Sequence, residues 1–229
     1  MERYGDYNEV DEAPGKSPVL NAIKLIAIII CFSVVGLLGA RLLLFNYIPA
    51  SVSNIYFTDA LSRYYDETDG SIGAKTQTLR AKYDDAKEGN FFCDNLIVVS
   101  EIGHLEITLR YNVSLIEKLK EELGLTELPE DTGELFTFTL RRNGEITESD
   151  NRIVGELVAR TSDSFMLYTY HKLVFEGIPF DGDRIEWLRL EITVNGAKKP
   201  KTYMVAIYEN NDTYSSFHDY TLKSEEVPK

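Results

Sequence analysis

The 229 residues carry 24 Lys and Arg against 37 Asp and Glu, a formal net charge of −13. Four basic and five acidic side chains precede Ile48, so the remaining 20 and 32 place a net −12 on everything after it. Acidity without a basic stripe repels phosphate backbones and anionic headgroups, which argues against nucleic-acid binding and against peripheral adhesion to anionic lipid. The two cysteines, Cys31 and Cys93, offer no disulfide framework of the kind that staples small secreted modules.

In chain order, residues 1–18 form an acidic tail, with Glu2, Asp6, Glu9, Asp11 and Glu12 against Arg3 and Lys16. An apolar stretch, 19–48, follows. Leu25 to Ala40 is 16 residues without a charge, bounded by Lys24 and Arg41. Their stems can run along a helix and place the charges at opposite interfaces, and Tyr47 suits an interfacial position. The stretch predicts a transmembrane anchor that meets the bilayer over residues 25–45 and ends at Pro49. A cleavable signal peptide, with Ser51-Val52-Ser53 as its processing site, is the rival. The long apolar run and the acidic tail argue against it. Lys16 and Lys24 precede the span while the next basic residue after Arg41 is Arg63, which predicts a cytoplasmic tail and an extracytoplasmic C-terminal domain.

Residues 49–90 read as a connecting region, with a short helix within Asn54–Tyr65 and acidic turns at Asp66–Gly73 and Asp84–Gly89. Beyond it the pattern takes period 2. In His104–Tyr111 the residues Leu105, Ile107, Leu109 and Tyr111 alternate with His104, Glu106, Thr108 and Arg110, predicting one face in a core and one in water. Phe136, Phe138 and Leu140 alternate with Thr137, Thr139 and Arg141; Leu188, Leu190, Ile192 and Val194 do so with Arg189, Glu191 and Thr193. Less regular β-rich runs lie at Leu96–Ser100, Arg152–Arg160, Phe165–Glu176 and Thr202–Glu209, with turn signals at Asn143-Gly144, Asp181-Gly182 and Asn195-Gly196. One helix interrupts them. Ser114 is its expected cap with Glu117 three residues on, Leu115, Leu119 and Leu123 line one side, and Gly124 ends it. About seven short strands and one inserted helix predict a mainly β fold, an immunoglobulin-like sandwich over 91–210, followed by a polar tail, 211–229. An open sheet covered by the helix is the alternative architecture.

Six strings carry a family resemblance: Thr76-Gln77-Thr78-Leu79-Arg80, Tyr83-Asp84-Asp85, Asn95-Leu96-Ile97-Val98-Val99, Arg110-Tyr111-Asn112, Leu173-Val174-Phe175-Glu176-Gly177 and Glu186-Trp187-Leu188-Arg189-Leu190. Over Asn54 to Glu209 the chain resembles uncharacterised single-pass membrane proteins of anaerobic Gram-positive bacteria with an Ig-like extracytoplasmic domain. The resemblance implies architecture and location, and no activity or catalytic residue.

No nucleotide, zinc-protease or nucleophile-elbow motif occurs, and His104, His171 and His218 lack ligand spacing. No cofactor is expected. Asp66 and Asp69, Asp84 and Asp85, and Asp181 and Asp183 are weak candidates for calcium at loop ends, where solvated acidic turns explain the same residues. The expectation is a non-enzymatic module that meets an envelope protein or glycan through its loops or an exposed sheet edge. A carboxylate-dependent hydrolase is one alternative, and an assembly or sensory component whose N-terminal tail docks a cytoplasmic partner is another.

Overall fold

The computed structural model describes residues 18–78, 91–142, 152–180, 188–199, 201–207 and 218–229. It divides into two compact units, Met1–Tyr47 and Ile48–Lys229. In the first, α1 (Pro18–Asn46) is apolar around its whole circumference, with Ile23, Ile26, Phe32 and Leu37 all more than half exposed. A helix with no polar stripe needs an apolar surrounding. Its segment Asn21–Leu43 is long and apolar enough to cross a membrane. At about 1.5 Å per residue those 23 residues reach about 35 Å, against about 30 Å of hydrocarbon.

The second unit is built on two antiparallel sheets. Its strands are β1 (Lys75–Thr78), β2 (Phe91–Val99), β3 (His104–Asn112), β4 (Phe136–Arg142), β5 (Glu156–Phe165), β6 (Tyr168–Glu176), β7 (Leu188–Val194), β8 (Thr202–Ile207) and β9 (His218–Asp219). Six form a sheet in the order β5-β6-β3-β2-β1-β9, and three form a second in the order β4-β7-β8. Of the described residues 36% are strand and 34% helix, about half of the helix in α1, so the second unit is β-dominated.

The main core lies between the sheets. Phe91, Leu105, Ile107, Leu109, Tyr111 and Leu173 from the larger sheet meet Phe136, Phe138, Leu140, Leu190 and Ile192 from the smaller one. The alternation in β4 and β7 buries the expected faces. In β2 a bulge between Cys93 and Asn95 shifts the parity, so the core-facing set is Phe91 and Cys93 before it and Leu96 and Val98 after it. That break in period explains why only the second half of β2 is legible as a strand. Another bulge, between Leu157 and Ala159, blurs β5 in the same way.

The other face of the larger sheet is also covered, which corrects two expectations. Within the stretch read as a connecting region, α2 (Ala50–Ser53) and α3 (Asp59–Glu67) fold onto the sheet and help bury Val52, Ile55 and Leu61, while β1 joins the sheet itself. These apolar residues are too few to pattern a helix and become informative only when Ile97 and Val99 are seen beneath Ile55 and Leu61. The end of the chain behaves alike, since β9 pairs with β1 and Tyr220 and Leu222 pack on the same cluster. In consequence β3 is buried on both faces, and His104, Glu106, Thr108 and Arg110, expected in water, are at most 5% exposed.

The inserted helix, α4, spans Val113–Leu123 and buries Leu115, Ile116 and Leu119. Gly124 ends it at φ +68, the left-handed conformation that glycine adopts without a Cβ clash. Its cap is Asn112 rather than Ser114: the Ser114 N–H donates to Asn112 Oδ1 at 2.8 Å, because the helix begins directly at the end of β3. The signals at Asn143-Gly144 and Asp181-Gly182 lie outside the described residues, as does Trp187.

Candidate functional site

A charged network lies on the covered face of the larger sheet. The register sets Glu106 opposite Val174, Thr108 opposite Lys172 and Arg110 opposite Tyr170, so Glu106 and Lys172 are diagonal neighbours on one face. Lys172 Nζ donates to Glu106 Oε2 at 2.6 Å, with both side chains 1% exposed. Glu106 Oε1 accepts from the Tyr56 N–H at 2.6 Å and lies 3.0 Å from His104 Nε2. Since the Lys172-paired carboxylate only accepts, Nε2 is the nitrogen of His104 that carries the hydrogen. His104 Nδ1 is 3.7 Å from Glu176 Oε1, which also accepts from the Thr58 hydroxyl.

Several hydrogen bonds fasten the covering segment to this network and its edges. Ser51 donates to Asp163, Thr108 Oγ1 donates to Val52 O at 2.8 Å, Tyr56 reaches Glu106, and Thr58, which caps α3 by accepting from Leu61 N, reaches Glu176. From the other side the Ile55 N–H donates to the Tyr220 hydroxyl, which donates to Glu226, and Lys223 Nζ donates to Asn54 Oδ1. Burial is the first cause raising the Tyr220 hydroxyl's pKa, and the Glu226 carboxylate adds to it. Together these groups form a clamp on residues 51–58, the stretch that follows the apolar helix in sequence.

A second polar cluster faces the main core between the two sheets. The Tyr111 hydroxyl lies 2.6 Å from His171 Nε2 and 2.9 Å from Thr132 Oγ1, with the two rings stacked. Arg160 donates to Asp131 at 2.5 Å and to Gly133 O at 2.9 Å. His171 Nδ1 has no hydrogen-bond partner among the described residues. The cluster has no room for a substrate at Gly133: a Cβ there would lie 2.8 Å from His171 Cε1 and 3.0 Å from Arg160. Backbone bonding from Gly133 and the Arg160 charge hold the Asp131 carboxyl below its usual value despite some burial. Burial holds the His171 imidazole down to about 4.

That shift has a sign. Between about pH 6.5 and 4 the unfolded chain takes a proton at His171 that the folded chain refuses, so stability drops as pH falls through this window, by about 3 kcal/mol if the whole shift is realised. Asp94 opposes it. Burial pushes its carboxyl up to about 6 against the pull of Arg110, 3.0 Å away, so acidification favours the folded state there. Asp94→Asn is therefore expected to lose stability more steeply than the parent between pH 6 and 4, read by urea titration at each pH. Parallel pH profiles would contradict this assignment of charge.

Of the aspartates considered for calcium, Asp66 lies in the last turn of α3 and Asp69 in the turn after it at φ +50, whereas Asp84, Asp85, Asp181 and Asp183 lie outside the described residues. No group of three or more His, Cys, Asp or Glu with metal-binding proximity occurs among the described residues. Two shallow hollows among the described residues, about 380 Å³ beside Glu122 and Lys198 and about 440 Å³ beside Asn54 and Glu226, do not include the buried network of Glu106 and His104. Sequence reading missed the clamp because alternation assigned its residues to water. The unusual signal was an acid, a histidine and an arginine on a strand whose partner supplies a lysine at the matching register. No family model, curated protein or solved structure matches the chain.

Proposed function

We propose that this protein is a membrane-anchored extracytoplasmic binding or structural module, similar to the Ig-like membrane proteins it resembles in sequence. The observation that carries the reading is the clamp. The stretch following an apolar helix is fastened by hydrogen bonds to a sheet face that holds a buried ion pair, where a flexible stalk needs no such bonds, so the chain enters the folded domain within a few residues of the helix.

Strand order supports the immunoglobulin-type reading. Taken in sequence from β2 to β8, the strands pair as β2-β3-β6-β5 and β4-β7-β8, the A-B-E-D and C-F-G arrangement of constant-type domains, with β1 and β9 extending the first sheet. The module then presents loops at its two ends and displays tyrosines to a protein or glycan of the envelope. Lys and Arg counts around the span support the extracytoplasmic orientation. Protease added to intact cells is expected to digest the domain, and crosslinking of the full-length protein in its native membrane is expected to recover a specific envelope partner. A domain untouched by protease would overturn the orientation, and crosslinking without a specific partner would count against the binding role.

A further inference from the structure

The hairpin joining β5 to β6 turns with only two residues, Met166 and Leu167, between the paired Phe165 and Tyr168. They are 68% and 56% exposed. Tight hairpin loops on a wetted surface take Asn, Asp and Gly. Met166 also holds φ +53, at the first loop position, where glycine is the unstrained choice. Beside the tip, exposed Val113 donates its N–H to Leu167 O at 3.0 Å. An exposed apolar pair with a strained backbone points to a surface that covers it.

The clamp identifies that surface. Thr58 is fastened at Glu176, paired with Glu156 at the far end of the hairpin; Tyr56 at Glu106, opposite Val174; Val52 at Thr108, opposite Lys172; and Ser51 at Asp163, paired with Tyr170. Traced back from Thr58 to Ser51, the chain thus runs along the sheet toward the Met166–Leu167 turn, and Ser51 is anchored two residues short of Phe165. Upstream, only residues 44–49 separate Ala50 from the apolar segment ending at Leu43, and each spans at most about 3.6 Å. The bilayer that accepts the helix is therefore within reach of this end of the domain by chain length alone.

We propose that the Met166–Leu167 tip inserts into the interface of that same bilayer, with Phe165 and Tyr168 at headgroup depth as an aromatic collar. Beside the tip, Asp163 accepts from Ser51 and the Arg110 guanidinium lies over the Tyr168 ring at 4.7 Å; the acidity of the domain makes a zwitterionic bilayer the suited surface. Insertion removes apolar surface from water, makes use of a loop unsuited to solvent, and gives the domain a second contact that fixes its tilt on the membrane. The inference rests on reading α1 as a membrane anchor.

The test uses the full chain with Cys31→Ser, reconstituted in phosphatidylcholine vesicles, carrying an environment-sensitive fluorophore at Met166→Cys, Leu167→Cys or, as a control at the far end of β5, Glu156→Cys. Cys93 is fully buried and its thiol pKa is raised by burial. The expected result is a blue-shifted emission at 166 and 167 that lipids spin-labelled near the headgroup quench at least twofold, with an unshifted, unquenched signal at 156. Emission at 166 and 167 matching the control, in protein that resists alkaline extraction, would overturn the insertion and leave the anchor standing. Protein released by alkaline extraction would overturn the anchor and the insertion with it. Met166→Gly supplies an independent readout: it is expected to keep the fold and to reduce quenching at 167.

Discussion

Replacing Lys172 with methionine is expected to destabilise the folded domain by about 3–5 kcal/mol, because the change leaves the Glu106 carboxylate charged and enclosed with its main counter-charge gone. Both side chains are 1% exposed, so water cannot take over the lysine's part. The pair itself adds little net stability, since desolvating two ions offsets most of their attraction. The double variant Glu106→Gln/Lys172→Met separates these two statements. Glutamine's carbonyl still accepts from the Tyr56 N–H, no unpaired charge remains, and most of the lost stability is expected to return. Urea titration of the full chain in detergent, followed by near-ultraviolet circular dichroism, measures all three. A Lys172→Met variant within about 1 kcal/mol of the parent would mean that the pair is solvated and the clamp open.

Phe91→Ala is expected to cost about 3–5 kcal/mol by a different route, through the transfer of a large buried ring and the cavity it leaves. Phe91 stands at the start of β2 with no exposed surface, and its ring lies 5.4 Å from Tyr111, 5.5 Å from Phe136 and 5.0 Å from Tyr203. Tyr111 belongs to its own sheet, whereas Phe136 and Tyr203 belong to the other. The ring is thus a tie between sheets, and its edge-to-face contacts add to the area it buries. Phe91→Leu retains most of that volume and is expected to lose less than half as much. Equal losses for alanine and leucine would show that the cost comes from the aromatic contacts rather than from the cavity.

The two variants also probe faces that differ in how far sequence reveals them. Phe136, Phe138 and Leu140, or Leu188 through Val194, advertise their faces because one side packs on a single partner sheet and the other retains solvent. β3 shows the same alternation and yet is buried on both sides, for its polar side chains pair with one another, with Lys172 and with the segment that covers them. Alternation distinguishes apolar from polar, and polar from exposed only where nothing covers the strand. The β2 bulge at Asp94 and the short β1 and β9 defeat periodicity for another reason: a parity shift or a two- to four-residue strand leaves too few positions to count.

The apolar helix, the strands of even alternation, the inserted helix with Gly124 behind it and the acidity of the larger unit follow from residues close together in the chain, through patterns of helical or strand period. Tertiary structure alone decided the rest. It brought Tyr56 and Lys172 to Glu106 from 50 and 66 positions away, and turned a stretch that reads as a connector into the cover of a sheet. It also placed Ser51 at Asp163, 112 positions on and two residues before Phe165 at the end of β5. Such contacts depend on register, bulges and the order of strands in space, and local sequence periods do not encode which distant segment arrives to share a buried charge.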